Sequence, residues 1–176
     1  VDPAHNEVLD HQQIDPNIDF VWDASDTNPV IPPPAGIDHN DGDFRLPDHW
    51  PIWSVVWEGY LDVPRDGLYA FRLLVNNGGW LELKDASGAL AVVVDCPGGS
   101  GFEGDCDGSK SLTAGRQYVR VSYYNNAPSS ASAIFSWQRP GDATLSVVPT
   151  DALCTQNVEG CSQPKRQRGI SSRHSL

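Results

Sequence analysis

The chain lacks most of the signals that announce a reaction. It contains no nucleophile elbow, no H-E-x-x-H and no zinc-type spacing of Cys and His, so the common hydrolase and metalloprotease chemistries have no motif to stand on. No run of apolar residues approaches the length needed to span a bilayer, which argues against membrane insertion. No N-x-S/T sequon with a permitted middle residue occurs, and no C-x-x-C joins any of the four cysteines. Sustained helical periodicity is also missing, while 14 Pro and 16 Gly punctuate short apolar runs. That combination predicts an all-β fold, an antiparallel sandwich or barrel of about eight strands, within one domain of ordinary size.

Basic residues are scarce outside the C terminus. The net charge is −11 over 176 residues, yet the last twelve carry Lys165, Arg166, Arg168 and Arg173 and no acid, so residues 1–164 hold −15. Such a surface repels phosphate backbones and predicts no nucleic-acid partner. Cys96, Cys106, Cys154 and Cys161 form an even set whose connectivity sequence alone leaves open. Two close spacings suggest Cys96 with Cys106 and Cys154 with Cys161. Paired cysteines imply an oxidising compartment, extracellular or at the cell surface. With no signal peptide at Val1, a mature chain or an excised module is expected.

Trp53 to Val75 is the clearest stretch. Val55, Trp57, Leu61 and Val63 share one face with Trp53, Ser54, Glu58 and Asp62 the other, and Val56 and Tyr60 add apolar surface outside. This is period two, with enough outer apolar surface to predict a covered or central strand. Pro64-Arg65-Asp66-Gly67 has turn chemistry, and Leu68 to Val75 alternates again, so the stretch reads as a β-hairpin. Further strands are predicted at Ile18 to Trp22, Trp80 to Lys84, Ala89 to Asp95, Gln117 to Tyr124, around Ala133 to Trp137, and at Leu145 to Val148. Residues 23–51 are Pro-rich and aperiodic and read as a long loop over the sandwich. Cys96 to Lys110 reads as a Gly-rich acidic excursion. The domain is expected to occupy residues 1–153, followed at 154–176 by a disulfide-looped extension and a disordered basic tail.

Several motifs touch on chemistry. Gly99 to Gly104 matches G-x-G-x-x-G but sits between two cysteines beside Glu103, Asp105 and Asp107, a poor setting for a phosphate cradle. Asp38-His39-Asn40-Asp41-Gly42-Asp43 is rich in calcium-type oxygen ligands but misses the EF-hand register at Gly42; a solvated acidic loop is the plainer reading. Trp50, Trp53 and Trp80 border loops and offer rings for sugar stacking, whereas Trp57 and Trp137 lie within strands and suit the core. Carboxylates are plentiful, but none is singled out as an acid and base pair, so no enzyme activity is expected.

Taken in order, DPNIDFVW (15–22), SVVWEGYLDVPRDGLYAFRL (54–73), NNGGWLEL (76–83), SLTAGRQYVRVSYYNNA (111–127), AIFSWQRPG (133–141) and VVPTDAL (147–153) resemble the PA14 family. The run W-x-G-Y-L-x-V-P-x-x-G-x-Y-x-F carries most of the likeness. The family is a β-sandwich module of bacterial toxins, glycoside hydrolases and adhesins. Its sugar-binding members hold calcium between a loop with two aspartates joined by a cis peptide and a second loop that contributes an Asn and backbone carbonyls; sugar hydroxyls then bind the ion. By position, those loops correspond here to Asn76-Asn77 and to Asn125-Asn126-Ala127. Two amides in place of two carboxylates remove the charge on which calcium affinity depends, so weak or absent calcium binding is expected. Asp95, Asp105 or Asp107 would be the carboxylates to restore it. Asn76-Asn77-Gly78-Gly79 also suits a simple hairpin turn.

The resemblance implies a secreted carbohydrate-binding or adhesion module. Asn76, Asn77, Trp80, Asn125 and Asn126 are its candidate sugar-binding residues, and Asn76, Asn77 and Asn125, with Asp105 and Asp107, are candidate calcium ligands. The expected partner is a glycan, a cell-surface or cell-wall polysaccharide. The alternative is a non-catalytic structural or protein-interaction module, positioned among neighbouring domains, that has lost the calcium site.

Overall fold

Alternating apolar residues decide which face of each strand is buried, and two sheets packed face to face satisfy all of them. The computed structural model describes residues 9–22, 53–98, 103–125, 131–155 and 170–175, and of residues 9–14, 22, 53, 103, 125 and 170–175 only the backbone. In chain order the strands are β1 (Leu9–Asp15), β2 (Asp19–Trp22), β3 (Trp53–Val63), β4 (Gly67–Asn76), β5 (Gly78–Lys84), β6 (Leu90–Cys96), β7 (Glu103–Leu112), β8 (Gly115–Asn125), β9 (Ala131–Gln138), β10 (Ser146–Val147), β11 (Leu153–Cys154) and β12 (Ile170–Ser175). A short 3-10 helix, Thr150–Ala152, precedes β11. The first sheet runs β1-β12-β3-β8-β5-β6 with β11 also on β3, and the second runs β10-β9-β4-β7 with β2 also on β9. Every pairing is antiparallel. The expected all-β antiparallel sandwich is therefore the fold.

The core lies between the sheets. Trp57, Leu61 and Val63 from β3 and Leu81, Leu83, Val119 and Val121 from β5 and β8 face Tyr69, Phe71, Leu73, Phe135 and Trp137 from β4 and β9, all buried. Phe20 stacks on Trp57 with centroids 5.7 Å apart, and Phe71 stacks on Phe135 at 6.1 Å. The Trp57 indole N–H donates to the buried Asp15 carboxylate at 2.8 Å, so its polar edge is satisfied as burial requires. β3 is central, flanked by β8 and by β11 and β12, and on its outer side Tyr60 packs edge-on against its cross-strand neighbour Tyr118, with centroids 5.6 Å apart.

The pairing corrects four expectations. β3 and β4 are not a hairpin: β3 pairs with β8 in one sheet and β4 with β7 and β9 in the other, so Pro64 to Asp66 arches between layers. Asn76 to Gly79 is not a hairpin turn either, because β4 and β5 also lie in different sheets. The Cys96 to Lys110 excursion contains a full strand, β7, paired along β4 from Gly67↔Leu112 to Asn76↔Glu103. Its core-facing positions are small: Cys106 is bonded to Cys96 (Cα–Cα 5.6 Å), and Gly108 lies against the Val93 carbonyl. Before the buried Leu112 at its end, no large apolar residue marks the alternation on that face. The disulfide joins the edge strands of the two sheets. Cys154 is disulfide-bonded as well, and Cys161 lies outside the described residues. The C-terminal stretch expected to be disordered supplies β12, which sits between β1 and β3; backbone pairing on both sides, rather than apolar content, holds its place. The 23–51 loop and the Asp38 to Asp43 motif fall outside the described residues.

Candidate functional site

One end of the sandwich gathers the candidate residues. Trp53↔Asn125, Gly78↔Tyr124, Gly79↔Cys96, Asn76↔Glu103 and Trp22↔Ala131 are the last pairs of their ladders there. Segments 23–52, 99–102 and 126–130 all leave from and return to these strand ends.

A single residue, Asn77, carries the chain from β4 to β5 across the layers. It takes φ 85°, a left-handed conformation that Asn tolerates better than most side chains. Asn76 and Asn77 are both buried, 4% and 0% exposed, and the peptide between them is trans. The Asn77 Nδ2 donates to Asn76 Oδ1 at 2.8 Å. Below them the Tyr123 hydroxyl meets the Asn77 side chain and the Ser132 backbone, and burial pushes its phenol well above the usual range. Above them the Tyr124 ring lies across Gly78, where any Cβ would collide, and its hydroxyl donates to the Pro97 carbonyl at 2.9 Å. Gly98, at φ 65°, packs against the Asn77 carbonyl. The Asn pair thus forms the interior of a packed junction. The ladder of β5 on β8 ends at Gly78↔Tyr124, and Asn125 follows as the partner of Trp53. Asn126 lies outside the described residues.

Asp105 and Asp107 are elsewhere engaged. On the outer face of the second sheet, Arg72 donates from Nη1 to Asp105 Oδ2 at 2.8 Å, and from Nε and Nη2 to the two oxygens of Asp107 at 2.6 and 2.8 Å. The hydrogen bond from Arg72 holds the Asp107 carboxyl below its ordinary value. A calcium ion requires six to eight oxygens, several of them charged. The junction presents one amide bonded to another, and the two carboxylates on the outer face are already held by a guanidinium, so the described residues do not fit that requirement. No three of His, Cys, Asp and Glu come together among the described residues.

Trp80 is not brought to the Asn pair. It stands on the outer face of the first sheet, 36% exposed, between Ser122 and Asp95. The same face carries a closed polar set: Tyr118 donates to Glu58 at 2.9 Å, Arg120 donates to Glu82 at 2.6 Å, and the Lys84 ammonium lies 4.3 Å above the Tyr118 ring. Burial, then the bond to Glu58, pushes the Tyr118 phenol up to about 12. Trp57 and Trp137 are core residues, as their alternation predicted.

Sequence reading missed a hollow of about 420 Å³ on the outer face of the second sheet. Val21, Leu74 and Ile134 line it together with Asn76, Asp105 and Ser132. Two signals were available: Val21 is out of phase with Phe20 and Trp22, and Leu74 follows Leu73 on the face that Arg72 marks as outward. Every carboxylate with a shifted pKa among the described residues, Asp85, Asp107 and Asp142, is held low, whereas a general acid needs the reverse.

The PA14 domain family model matches residues 3–151. Among solved structures, an anti-sigma factor domain-containing protein from Clostridium clariflavum superimposes with TM-score 0.60 at 20% identity, over 94% of this chain and 45% of that one. A second anti-sigma factor domain-containing protein gives 0.59 at 22%, over 83% and 42%. The chain thus spans less than half the length of these two. The A domain of Epithelial Adhesin 6 from Candida glabrata, solved in complex with Galb1-3GlcNAc, gives 0.52 at 12%, over 85% and 71%. No curated protein matches the chain. With the family model covering most of its length and the sandwich in place, the chain belongs to the PA14 domain family.

Proposed function

We propose that this PA14 domain is an extracellular, non-catalytic carbohydrate-binding module, used for adhesion to a cell-surface or cell-wall glycan through the loop-bearing end of the sandwich. The observation that carries this reading is the hollow at that end, about 420 Å³ with an apolar floor and a rim of Asn76, Asp105 and Ser132. Its size falls in the range of small-molecule sites. A sugar ring likewise offers an apolar C–H face edged by hydroxyls. The adhesin domain of similar fold was solved with a disaccharide, which is consistent with such a use. Paired cysteines suit an extracellular location, and among the described residues no helix is long and apolar enough to cross a membrane. The acidic chain disfavours nucleic acid.

A glycan array probed with the full chain, in calcium and in chelator, tests the proposal. Binding to a defined glycan in either condition supports it, and the pair of conditions reports whether calcium assists. Silence in both, with a melting temperature unmoved by calcium, overturns it in favour of the second reading, a structural or protein-interaction module. That reading draws on the Asn76–Asn77 bond, which is spent inside the junction, and on this chain spanning less than half the length of the two similar chains.

A further inference from the structure

The hollow has a chemistry that narrows its ligand. Ile134, Leu74 and Asp105 lie in one row across β9, β4 and β7, because Leu74 pairs with Ile134 on one side and Asp105 on the other. Cross-strand neighbours are about 4.5–5.5 Å apart, so two aliphatic side chains and one carboxylate present themselves side by side. Val21, 66% exposed, extends the apolar floor from β2. Arg72 takes Asp105 by Oδ2 and turns its remaining donors to Asp107. The Asp105 carboxylate is thereby fixed in direction, with Oδ1 outside that pair and 43% of the side chain exposed.

The lining therefore offers an oriented acceptor next to aliphatic surface, and among the described residues no cation lines it. Two carboxylates against one guanidinium leave the surroundings negative, which disfavours uronic and sialic acids. A plain hexose has hydroxyls but no methyl for the floor. A deoxyhexose has the methyl but no N–H beside it. An acetamido group carries both, the N–H and the methyl flanking one carbonyl carbon. Resting on the carbohydrate-binding reading, we propose that this hollow is a subsite for an N-acetylhexosamine residue, with Asp105 Oδ1 accepting the acetamido N–H and the Leu74 and Ile134 side chains packing its methyl group.

Calorimetric titration of the full chain with N,N′-diacetylchitobiose and with cellobiose tests this, since the two differ only in their acetamido groups. The expected preference for diacetylchitobiose is about tenfold, one charge-assisted hydrogen bond and one buried methyl. Leu74→Ser and Asp105→Ala should each erase it. Both positions are outward-facing, so melting should move by no more than about 2 °C. In the unmodified chain, the methyl NMR signals of Leu74 and Ile134 should shift on titration. Equal binding of the two sugars overturns the acetamido assignment and leaves the carbohydrate reading standing. A preference that survives Leu74→Ser, with methyl signals unmoved, overturns the location. Binding of neither sugar, nor of any array glycan, overturns the subsite and the broader reading together.

Discussion

The two ends of the sandwich are built from the same strands and use their polar groups in opposite ways. At the end holding Pro64 to Asp66, Asp85 to Ala89, Thr113 to Ala114 and Arg139 to Asp142, connections are short and closed by their own bonds. Asp66 accepts from the Ala114 N–H at 2.6 Å, Asp85 accepts from the Ser87 and Ala89 N–H groups at 2.8 and 3.1 Å, and Arg139 binds Asp142 at 2.7 Å. The Tyr69 hydroxyl donates to the Arg65 carbonyl at 2.9 Å. Those side chains are consumed in fixing the chain, as Asx-type turn chemistry does. At the other end the junction at Asn77 is equally consumed, but the hollow beside it keeps apolar surface and an oriented carboxylate facing outward. A surface can bind only with what its own folding leaves over, and this end leaves more.

The largest test of the contrast uses glycine. Gly98, at the open end, and Gly88, at the closed end, both have positive φ, 65° and 82°. A Cβ on Gly98 would run into the Asn77 carbonyl and the Tyr124 hydroxyl, whereas one on Gly88 would meet nothing within 4 Å. Gly88→Ala should cost only the left-handed penalty, about 1–2 kcal/mol. Gly98→Ala adds overpacking against backbone and should cost about 3 kcal/mol or more. Urea midpoints of the two variants decide it, and equal losses would mean that the Asn77 junction is not packed as described.

Next in size is the Cys96–Cys106 bridge, which ties β6 to β7 close to the open end. Replacing both cysteines by serine should cost about 2–3 kcal/mol for a loop of this length. A loss confined to the open end would also show as faster amide exchange in β6 and β7 than in the turns at Asp66 and Asp85. Uniform exchange across both ends would erase the distinction drawn between them.

The sequence reported burial well and pairing poorly. The alternation in β3 and β9 named Trp57 and Trp137 as inward, and they are. Alternation says which face is covered, not which strand lies beside it, so Trp53 to Val75 read as a hairpin when its arms lie in different layers. β7 was hidden because Cys106 and Gly108 do on its inner face what bulky side chains do elsewhere. β12 was hidden because a strand paired on both sides need not be apolar. The Asn76–Asn77 pair was visible as a departure from the family's aspartates, but its burial depends on Tyr123 and Tyr124, some fifty positions away, and no local pattern reveals that. The hollow draws on β2, β4, β7 and β9; only the sheet order makes neighbours of Val21, Leu74, Asp105 and Ile134.

The smallest effect distinguishes the ends by acid. Ser87 holds Asp85 low through its hydroxyl and N–H, and Arg139 holds Asp142 low. A carboxylate whose folded pKa is depressed contributes stability that is present above its unfolded value, 3.8, and lost as pH falls through the folded value. The closed-end turns should therefore keep their bonds until pH drops below the usual aspartate range, then loosen. Asp85 is exposed and Asp142 half-buried in a local i,i+3 pair, so screening keeps the contribution to global stability slight. Carboxyl chemical shifts followed from pH 6 to pH 2, roughly the span over which depressed aspartates titrate, should place the Asp85 and Asp142 midpoints below 3.8, and the Ser87 and Ala89 amide signals should move with Asp85. Asp85→Asn should remove the pH dependence of those amides while leaving the Leu74 and Ile134 methyl signals of the open end where they were. Movement of the methyl signals in step with Asp85 would show that the two ends are coupled, and the independence on which the contrast rests would fail.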